Sequence, residues 1–247
     1  MTTLNVAAYR FVGIEDVPAL RERLQTRAEA LGLKGTILLA REGINLSLAG
    51  APAPVRSFMT ELRADPRFAE MEQKESWSER PPFRKMLVKE RAEIIRMAHP
   101  AIRPDASGRA PAVDAPTLKR WLDRGHDDAG RPIVLVDTRN GYEVDQGSFE
   151  GALDWRLQCF TDFPAALAAH RGALAGKTVV SFCTGGIRCE KAAILMREQG
   201  LTDVFQLEGG ILRYFEVVGS AHYQGSCYVF DRRRALDAAL QVSPLRP

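Results

Sequence analysis

The spacing of apolar residues changes character halfway along this 247-residue chain. In the first half, residues 4–12 alternate and predict a strand. Asp16–Leu31 places apolar residues at helical intervals, with Asp16 set to cap and Pro18 in the first turn. Gly35–Ala40 predicts a strand, Arg41–Asn45 (REGIN) a turn, Leu46–Ala49 a short strand and Ala53–Arg63 a second helix. Extended stretches follow around Met71–Trp77 and Met86–Ile95. The order is β-α-β-β-α-β with an extra strand, which fits a small ferredoxin-like α+β sandwich over residues 1–98.

Residues 99–113 are rich in Pro, Gly and Ala and lack periodicity, so they are expected to be a linker. Beyond it, Pro132–Asp137 (PIVLVD) is a near-continuous apolar run, as in a buried parallel strand. Helices are expected at Thr117–Arg124, Pro164–His170 and Ile211–Val218, and strands at Thr178–Phe182 and Asp203–Leu207. Strands alternating with helices predict an α/β domain with a mostly parallel sheet over residues 114–220, leaving 221–247 as a C-terminal tail.

Candidate chemistry concentrates at VVSFCTGGIRCEK, from Val179 to Lys191. The apolar run ends at Cys183, and a helix is expected from Ile187. Cys183, Thr184, Gly185, Gly186, Ile187 and Arg188 form a six-residue loop between strand and helix. Backbone N–H groups at such a junction converge on an anion. With Arg188 they would lower the cysteine pKa below its free value of about 8.5. Cys183 is therefore the candidate nucleophile, able to carry a persulfide. Cys189 is either a second thiol that resolves an oxidised Cys183 or a small residue packing the helix. Cys159 and Cys227 are expected to pack.

Composition narrows the class further. Four cysteines without a CxxC pair do not make a disulfide framework, and no residues show metal-ligand spacing, so no metal is expected. No apolar run approaches the ~20 residues of a membrane span, and no signal peptide is evident, so a cytoplasmic location without membrane contact is expected. The net charge of +3 is small. Its distribution is uneven: Arg80–Arg91 (RPPFRKMLVKER) carries five basic residues against one acidic, and Arg232–Arg234 forms a second cluster. Such runs are solvated surface or a phosphate-contacting face.

Several motifs resemble known families. The Cys183–Arg188 loop is similar to the active-site loop of rhodanese domains. Asp137, Arg139, Glu143, Gly147 and Gly151-Ala152 resemble the rhodanese signature, with Ser148 where that family usually has histidine. Glu208–Ile211 (EGGI) is similar to its later turn. Cell-cycle phosphatases of the same fold use a seven-residue loop, and the shorter loop here points to sulfur chemistry instead. Over nearly the whole chain, KGTILLAREGIN, PFRKMLVKERAEI, CTGGIRCEKA, EGGI and YVFDR resemble the rhodanese-containing tRNA uridine hydroxylases. Two features differ: REGIN runs into Leu46 where the family commonly has a further glycine, and the cysteine-rich extension of longer members does not follow.

That resemblance implies an acylphosphatase-like (ferredoxin-like) N-terminal domain followed by a rhodanese domain. It implies oxygen-dependent 5-hydroxylation of the wobble uridine of tRNA, dependent on Cys183, with molecular oxygen as co-substrate. No flavin, iron or pterin motif is evident. Lys34, Arg41, Arg80, Arg84, Lys85 and Lys89 become candidates for RNA backbone contact. Phe83 or Trp77 is a candidate for base stacking, although core packing explains Trp77 better. The loop alone predicts a different activity, sulfurtransfer through a Cys183 persulfide, with a sulfur donor or acceptor protein as partner. A third reading is a non-enzymatic binding module, which the intact loop disfavours.

Overall fold

A computed structural model describes residues 2–246. The chain divides into two compact units. One holds the residues up to Arg96 with Pro104–Ala106 and Asp231–Arg233; the other holds Met97–Arg103, Ser107–Phe230 and the residues from Arg234 onward.

The first unit runs β1 (Thr3–Phe11), α1 (Val17–Ala30), β2 (Lys34–Ala40), β3 (Gly43–Gly50), α2 (Pro52–Arg63), β4 (Gln73–Ser78) and β5 (Met86–Glu90). Its sheet has the order β4-β1-β3-β2-β5. The first four strands pair antiparallel, and β5 joins β2 in parallel as the extra strand. Alternation in the strands accounts for the core. Leu4, Val6 and Ala8 of β1, Ile37 and Leu39 of β2 and Ile44, Leu46 and Leu48 of β3 meet Leu20 and Leu24 of α1 and Phe58 and Leu62 of α2. Trp77 packs half-buried against this core.

The structure differs from expectation at two points here. Asp16 stands at the N-cap of α1 but makes no cap hydrogen bond, because its carboxylate pairs with Arg67 instead. REGIN is not wholly a turn: only Arg41 and Glu42 turn, and β3 begins at Gly43. Packing explains the motif. A Cβ on Gly43 would lie 2.1 Å from the Arg10 carbonyl oxygen across the β1–β3 ladder. The carbonyls of Arg41 and Glu42 accept the N–H groups of Ile14 and Val12 at 2.9 and 3.0 Å. The buried Glu42 carboxylate accepts the Ile94 N–H at 2.8 Å, and the Asn45 amide donates to the Ile94 carbonyl at 3.2 Å. REGIN is thus a clamp on the backbone leaving β1 and on the segment after β5.

The second unit contains β6 (Ala112–Val113), α4 (Ala115–Arg124), β7 (Ile133–Asp137), α5 (Gly141–Val144), β8 (Gly147–Phe149), β9 (Leu153–Asp154), α6 (Phe163–His170), β10 (Thr178–Phe182), α7 (Ile187–Glu198), β11 (Val204–Leu207), α8 (Gly210–Val218), β12 (Tyr223–Gly225), β13 (Cys227–Tyr228) and β14 (Ala235–Leu236). Its main sheet has the order β6-β11-β10-β7-β9, and every neighbouring pair is parallel. Residues 99–113 are not structureless: a short helix, α3, spans Pro104–Ser107, and β6 is an edge strand of the sheet. Asp114 caps α4 by accepting the Thr117 N–H at 2.7 Å, so that helix starts earlier than expected, and Gly125 closes it in the left-handed region. The tail contributes β12, which pairs with β8, and the β13–β14 ribbon. No helix among the described residues is long and apolar enough to cross a membrane.

Removing the Glu42 carboxylate leaves the buried Ile94 N–H without that acceptor. Glu42→Ala is expected to destabilise the first unit by about 2 kcal/mol and Asn45→Ala by about 1 kcal/mol, as read by urea unfolding.

Candidate active site

Cys183 follows β10 directly and is 1% exposed. β7 lies beside β10 in register, with Phe182 opposite Asp137, so the carboxyl ends of two central strands meet at the cysteine. Open α/β sheets bind ligands at this end.

The loop after Cys183 is shaped from outside. The first N–H groups of α8, on Ile211 and Leu212, donate to the carbonyls of Cys183 and Thr184 at 2.9 and 3.1 Å. With these carbonyls turned outward, the following N–H groups face the sulfur. Gly186 adopts φ +100 at the start of α7, and its N–H donates to the Cys183 Sγ at 3.2 Å. Gly210 has φ +66, and a Cβ there would lie 2.4 Å from the Cys183 carbonyl oxygen and 2.7 Å from the Gly186 nitrogen. This is the physical content of EGGI: the second glycine lets α8 close on the cysteine loop. Gly185 meets no such restriction.

The three charged side chains of the signature and Arg188 of the loop form two buried pairs. Arg188 donates to both oxygens of Glu143, at 2.6 and 2.7 Å. Glu143 also accepts the Asn140 N–H at 3.0 Å. Arg188 therefore acts on the sulfur by its charge, while its Nη donors are occupied by Glu143. Asp137 and Arg139 are fully buried and joined at 2.6 Å, and Arg139 also donates to the Gly147 carbonyl at 2.7 Å. Ser148, at the position of the usual histidine, donates to Asp137 at 2.7 Å. The shorter side chain thus still supplies a hydrogen bond to this pair.

Cys189 lies in the first turn of α7, fully buried, and its thiol donates to the Cys183 sulfur at 3.5 Å. Both cysteines are free thiols. Burial works to raise the Cys183 pKa. The Cys189 thiol, the Arg188 charge and the backbone N–H groups of Arg188 and Cys189 overcome burial and hold it well below the ordinary thiol value. Burial and the facing sulfur push Cys189 well above that value. The two shifts run in opposite directions and favour the negative charge on Cys183 with the proton on Cys189. The other cysteines divide: Cys227 is buried, with its pKa pushed up to about 12 by burial. Cys159, expected to pack, is exposed at the head of a short helical turn, with its sulfur 2.9 Å from the Thr161 hydroxyl.

The sequence reading missed an aromatic group beside this loop. Tyr142, Tyr228 and Phe230 stand edge to face, with centroids 5.4 and 5.3 Å apart. Tyr142 and Phe230 are 48% and 63% exposed. The Arg188 guanidinium lies 5.7 Å from the Phe230 ring, and Thr184 donates to the Tyr228 carbonyl at 3.2 Å. The YVFDR motif held the signal for two of these rings; nothing local marked Tyr142.

The basic candidates fall in the first unit. Lys34, Arg41, Arg80, Arg84 and Lys85 are exposed and Lys89 is half-buried. Lys34, Lys85 and Lys89 lie along the β2–β5 edge, where Gly35 faces Met86 and Leu38 faces Lys89. Arg41 follows β2, and Arg80 and Arg84 lie in the loop before β5. Among the described residues none of the six forms an ion pair, whereas Arg10, Arg23, Arg27, Arg56 and Arg67 all do. Arg233 of the second cluster is engaged by Asp231 at 2.6 Å and by the Ser76 hydroxyl at 2.7 Å. It is therefore not a free phosphate contact. Among the described residues no group of three or more His, Cys, Asp or Glu is placed to hold a metal ion.

A parallel sheet carrying a cradled thiolate at its carboxyl edge defines a rhodanese-type domain, here joined to an acylphosphatase-like one. Residues 114–216 match the rhodanese-like domain family, and residues 3–94 match the family described as the UPF0176 acylphosphatase like domain. The chain is 72% identical over 233 residues to the tRNA uridine(34) hydroxylase of Variovorax paradoxus (strain S110), covering 94% of this chain and 88% of that protein. It is 61% identical over 241 residues to the protein of the same name from Bordetella avium (strain 197N), covering 98% of this chain and 99% of that one. The chain belongs to the tRNA uridine(34) hydroxylase family.

A depressed folded-state pKa means that the thiolate is complete above that pKa and lost as pH falls through it. The stability it contributes is present above the unfolded value and disappears in the same acid window. The thiolate ultraviolet absorbance of wild type minus Cys183→Ser is expected to persist to lower pH than that of a free thiol of pKa about 8.5. In a Cys189→Ala background the loss should begin at higher pH.

Proposed function

We propose that this protein hydroxylates uridine 34 of tRNA at C5, with molecular oxygen as co-substrate and Cys183 as nucleophile. The observation that carries this reading is the near-full-length identity to proteins named for that reaction. The site supplies a matching chemistry. C5 of uracil becomes reactive enough to take oxygen when C6 carries a nucleophile. Addition of the Cys183 thiolate to C6 makes C5 a carbanion conjugated with the C4 carbonyl, and this carbon takes the oxygen. Loss of the C5 proton and of the thiolate then restores the ring. The exposed rings of Tyr142 and Phe230 offer flat apolar faces to a base brought out of its stack.

The unpaired lysines and arginines of the first unit suit an RNA backbone. Each phosphate contact adds to the salt dependence of binding, by about 0.7 in log–log slope for single strands and 0.9 for duplex. Arg84→Ala with Lys85→Ala is expected to weaken tRNA binding and to flatten the slope by about 1 to 2, as read by filter binding over a salt series.

Nucleoside mass spectrometry of tRNA from a deletion strain tests the reading. 5-Hydroxyuridine is expected to fall in the deletion strain, return with the wild-type gene and stay absent with Cys183→Ala. Loss of a thiolated nucleoside, with 5-hydroxyuridine unchanged, would instead select sulfurtransfer.

A further inference from the structure

Hydroxylation by molecular oxygen places one oxygen atom in the product and one in water. The second atom demands two electrons and two protons. A pair of thiols releases that amount when it becomes a disulfide. Next to the Cys183 sulfur, at 3.5 Å, sits a thiol that forms no bond to the base in the addition to C6: Cys189, fully buried at the first turn of α7. The Cys189 thiol is the donor of that contact and the Cys183 sulfur the acceptor.

We propose that Cys189 is a catalytic residue and that the Cys183–Cys189 pair is the internal two-electron donor of the hydroxylation, consumed in each turnover as a disulfide. The inference rests on the hydroxylase reading above and specifies its electron source. The steps balance as follows. The Cys183 thiolate adds to C6, and the C5 carbanion combines with oxygen and one proton to give a C5 hydroperoxide. The Cys189 thiol attacks the terminal oxygen of the hydroperoxide and the O–O bond breaks. C5 keeps a hydroxyl group and Cys189 becomes a sulfenic acid. Loss of the C5 proton expels Cys183 from C6 and releases 5-hydroxyuridine. The freed Cys183 thiolate attacks the Cys189 sulfenic acid, forming the disulfide and, with one proton, water. In sum, uridine, oxygen and two thiols give 5-hydroxyuridine, water and one disulfide. An external dithiol then reduces the disulfide for the next turnover.

The geometry supports this sequence beyond mere proximity. The base becomes bonded to the Cys183 sulfur through C6, so C5 and its hydroperoxide are anchored one carbon away from the sulfur that Cys189 already contacts. The Cys189 thiol carries the proton that the peroxide needs, and giving up that proton as its sulfur attacks makes it the nucleophile. Burial of both sulfurs favours the adjoining Cys183 over an outside thiol as the partner of the sulfenic acid.

The test is a single turnover without reductant. Full-length protein, reduced and freed of reductant under anaerobic conditions, is mixed with tRNA from the deletion strain and then with oxygen. 5-Hydroxyuridine is counted by mass spectrometry, thiols by titration after denaturation, and the Cys183–Cys189 disulfide by peptide mapping. The expected result is about one 5-hydroxyuridine and the loss of about two thiols per chain, with the disulfide forming only when tRNA is present. Cys189→Ser is expected to need an added small thiol to yield product. Product formed with the thiols intact, or many products per chain without reductant, would overturn the pair and leave the hydroxylase reading standing. No 5-hydroxyuridine from wild type even with added dithiol would overturn the hydroxylase reading and this inference with it. The thiol count on wild type decides the matter if Cys189→Ser fails to fold.

Discussion

Burying a negative sulfur is the demand around which the second unit is arranged. An ion removed from water loses several kcal/mol of solvation even in a relaxed protein interior. A hydrogen bond to a charged group returns about 1.5–3 kcal/mol. One donor is therefore too little, and Cys183 has the N–H groups of Gly186, Arg188 and Cys189 with the Cys189 thiol. Each donor depends on a further layer. The N–H groups face inward because α8 holds the loop carbonyls, and α8 reaches them because Gly210 has no side chain. Arg188 stays beside the sulfur because Glu143 holds both of its Nη groups, and Glu143 is itself fixed by the Asn140 backbone. Motifs spread over some seventy residues in sequence (Glu143, Cys183–Arg188, Gly210) thus serve one charge.

What the sequence revealed and what it concealed follow from the range of the interactions. Apolar periodicity reports which face of an element is buried, so β1, α1, β2, α2, β7, β10 and α7 were legible close to their true bounds. The course of the loop from Cys183 to Arg188 was legible because its contact from the Gly186 N–H to the sulfur spans three residues. Asp16 and REGIN were misread because their partners are distant in the chain. Nothing near Asp16 announces Arg67, and nothing near Glu42 and Asn45 announces the backbone of Ile94. The strand β6 escaped because two residues carry no period, and only pairing with Gln206 and Leu207 defines them. Tyr142 and Cys159 were missed because exposure is a property of the folded surface, and the residues around them read like ordinary turn sequence.

The distribution of charge repeats the distinction between structural and available groups. A basic run in sequence does not say whether its charges are already matched. Arg233 looks like part of a basic cluster, yet it is held by Asp231 and Ser76 and is largely buried. Lys34, Arg41, Arg80, Arg84, Lys85 and Lys89 lie along and beside the β2–β5 edge without acidic partners among the described residues. Binding of a polyanion draws on charges that are unmatched before it arrives, because breaking an existing ion pair subtracts from what the new contact gains.

The closeness of Cys189 also bears on the choice between the two chemistries that the loop permits. A sulfur carrier must keep its persulfide intact until the acceptor arrives. A persulfide on Cys183 would have the Cys189 thiol as its nearest nucleophile, and attack on the inner sulfur would give the Cys183–Cys189 disulfide and free sulfide. The cargo would be lost and the nucleophile blocked. A thiol in contact with the reactive sulfur is therefore a defect in a carrier. In the proposed oxygenation, which must dispose of one oxygen atom as water, the same thiol is placed to supply the missing electrons. The residue that weakens the simplest reading of the loop is the one that would give the proposed hydroxylation its balance.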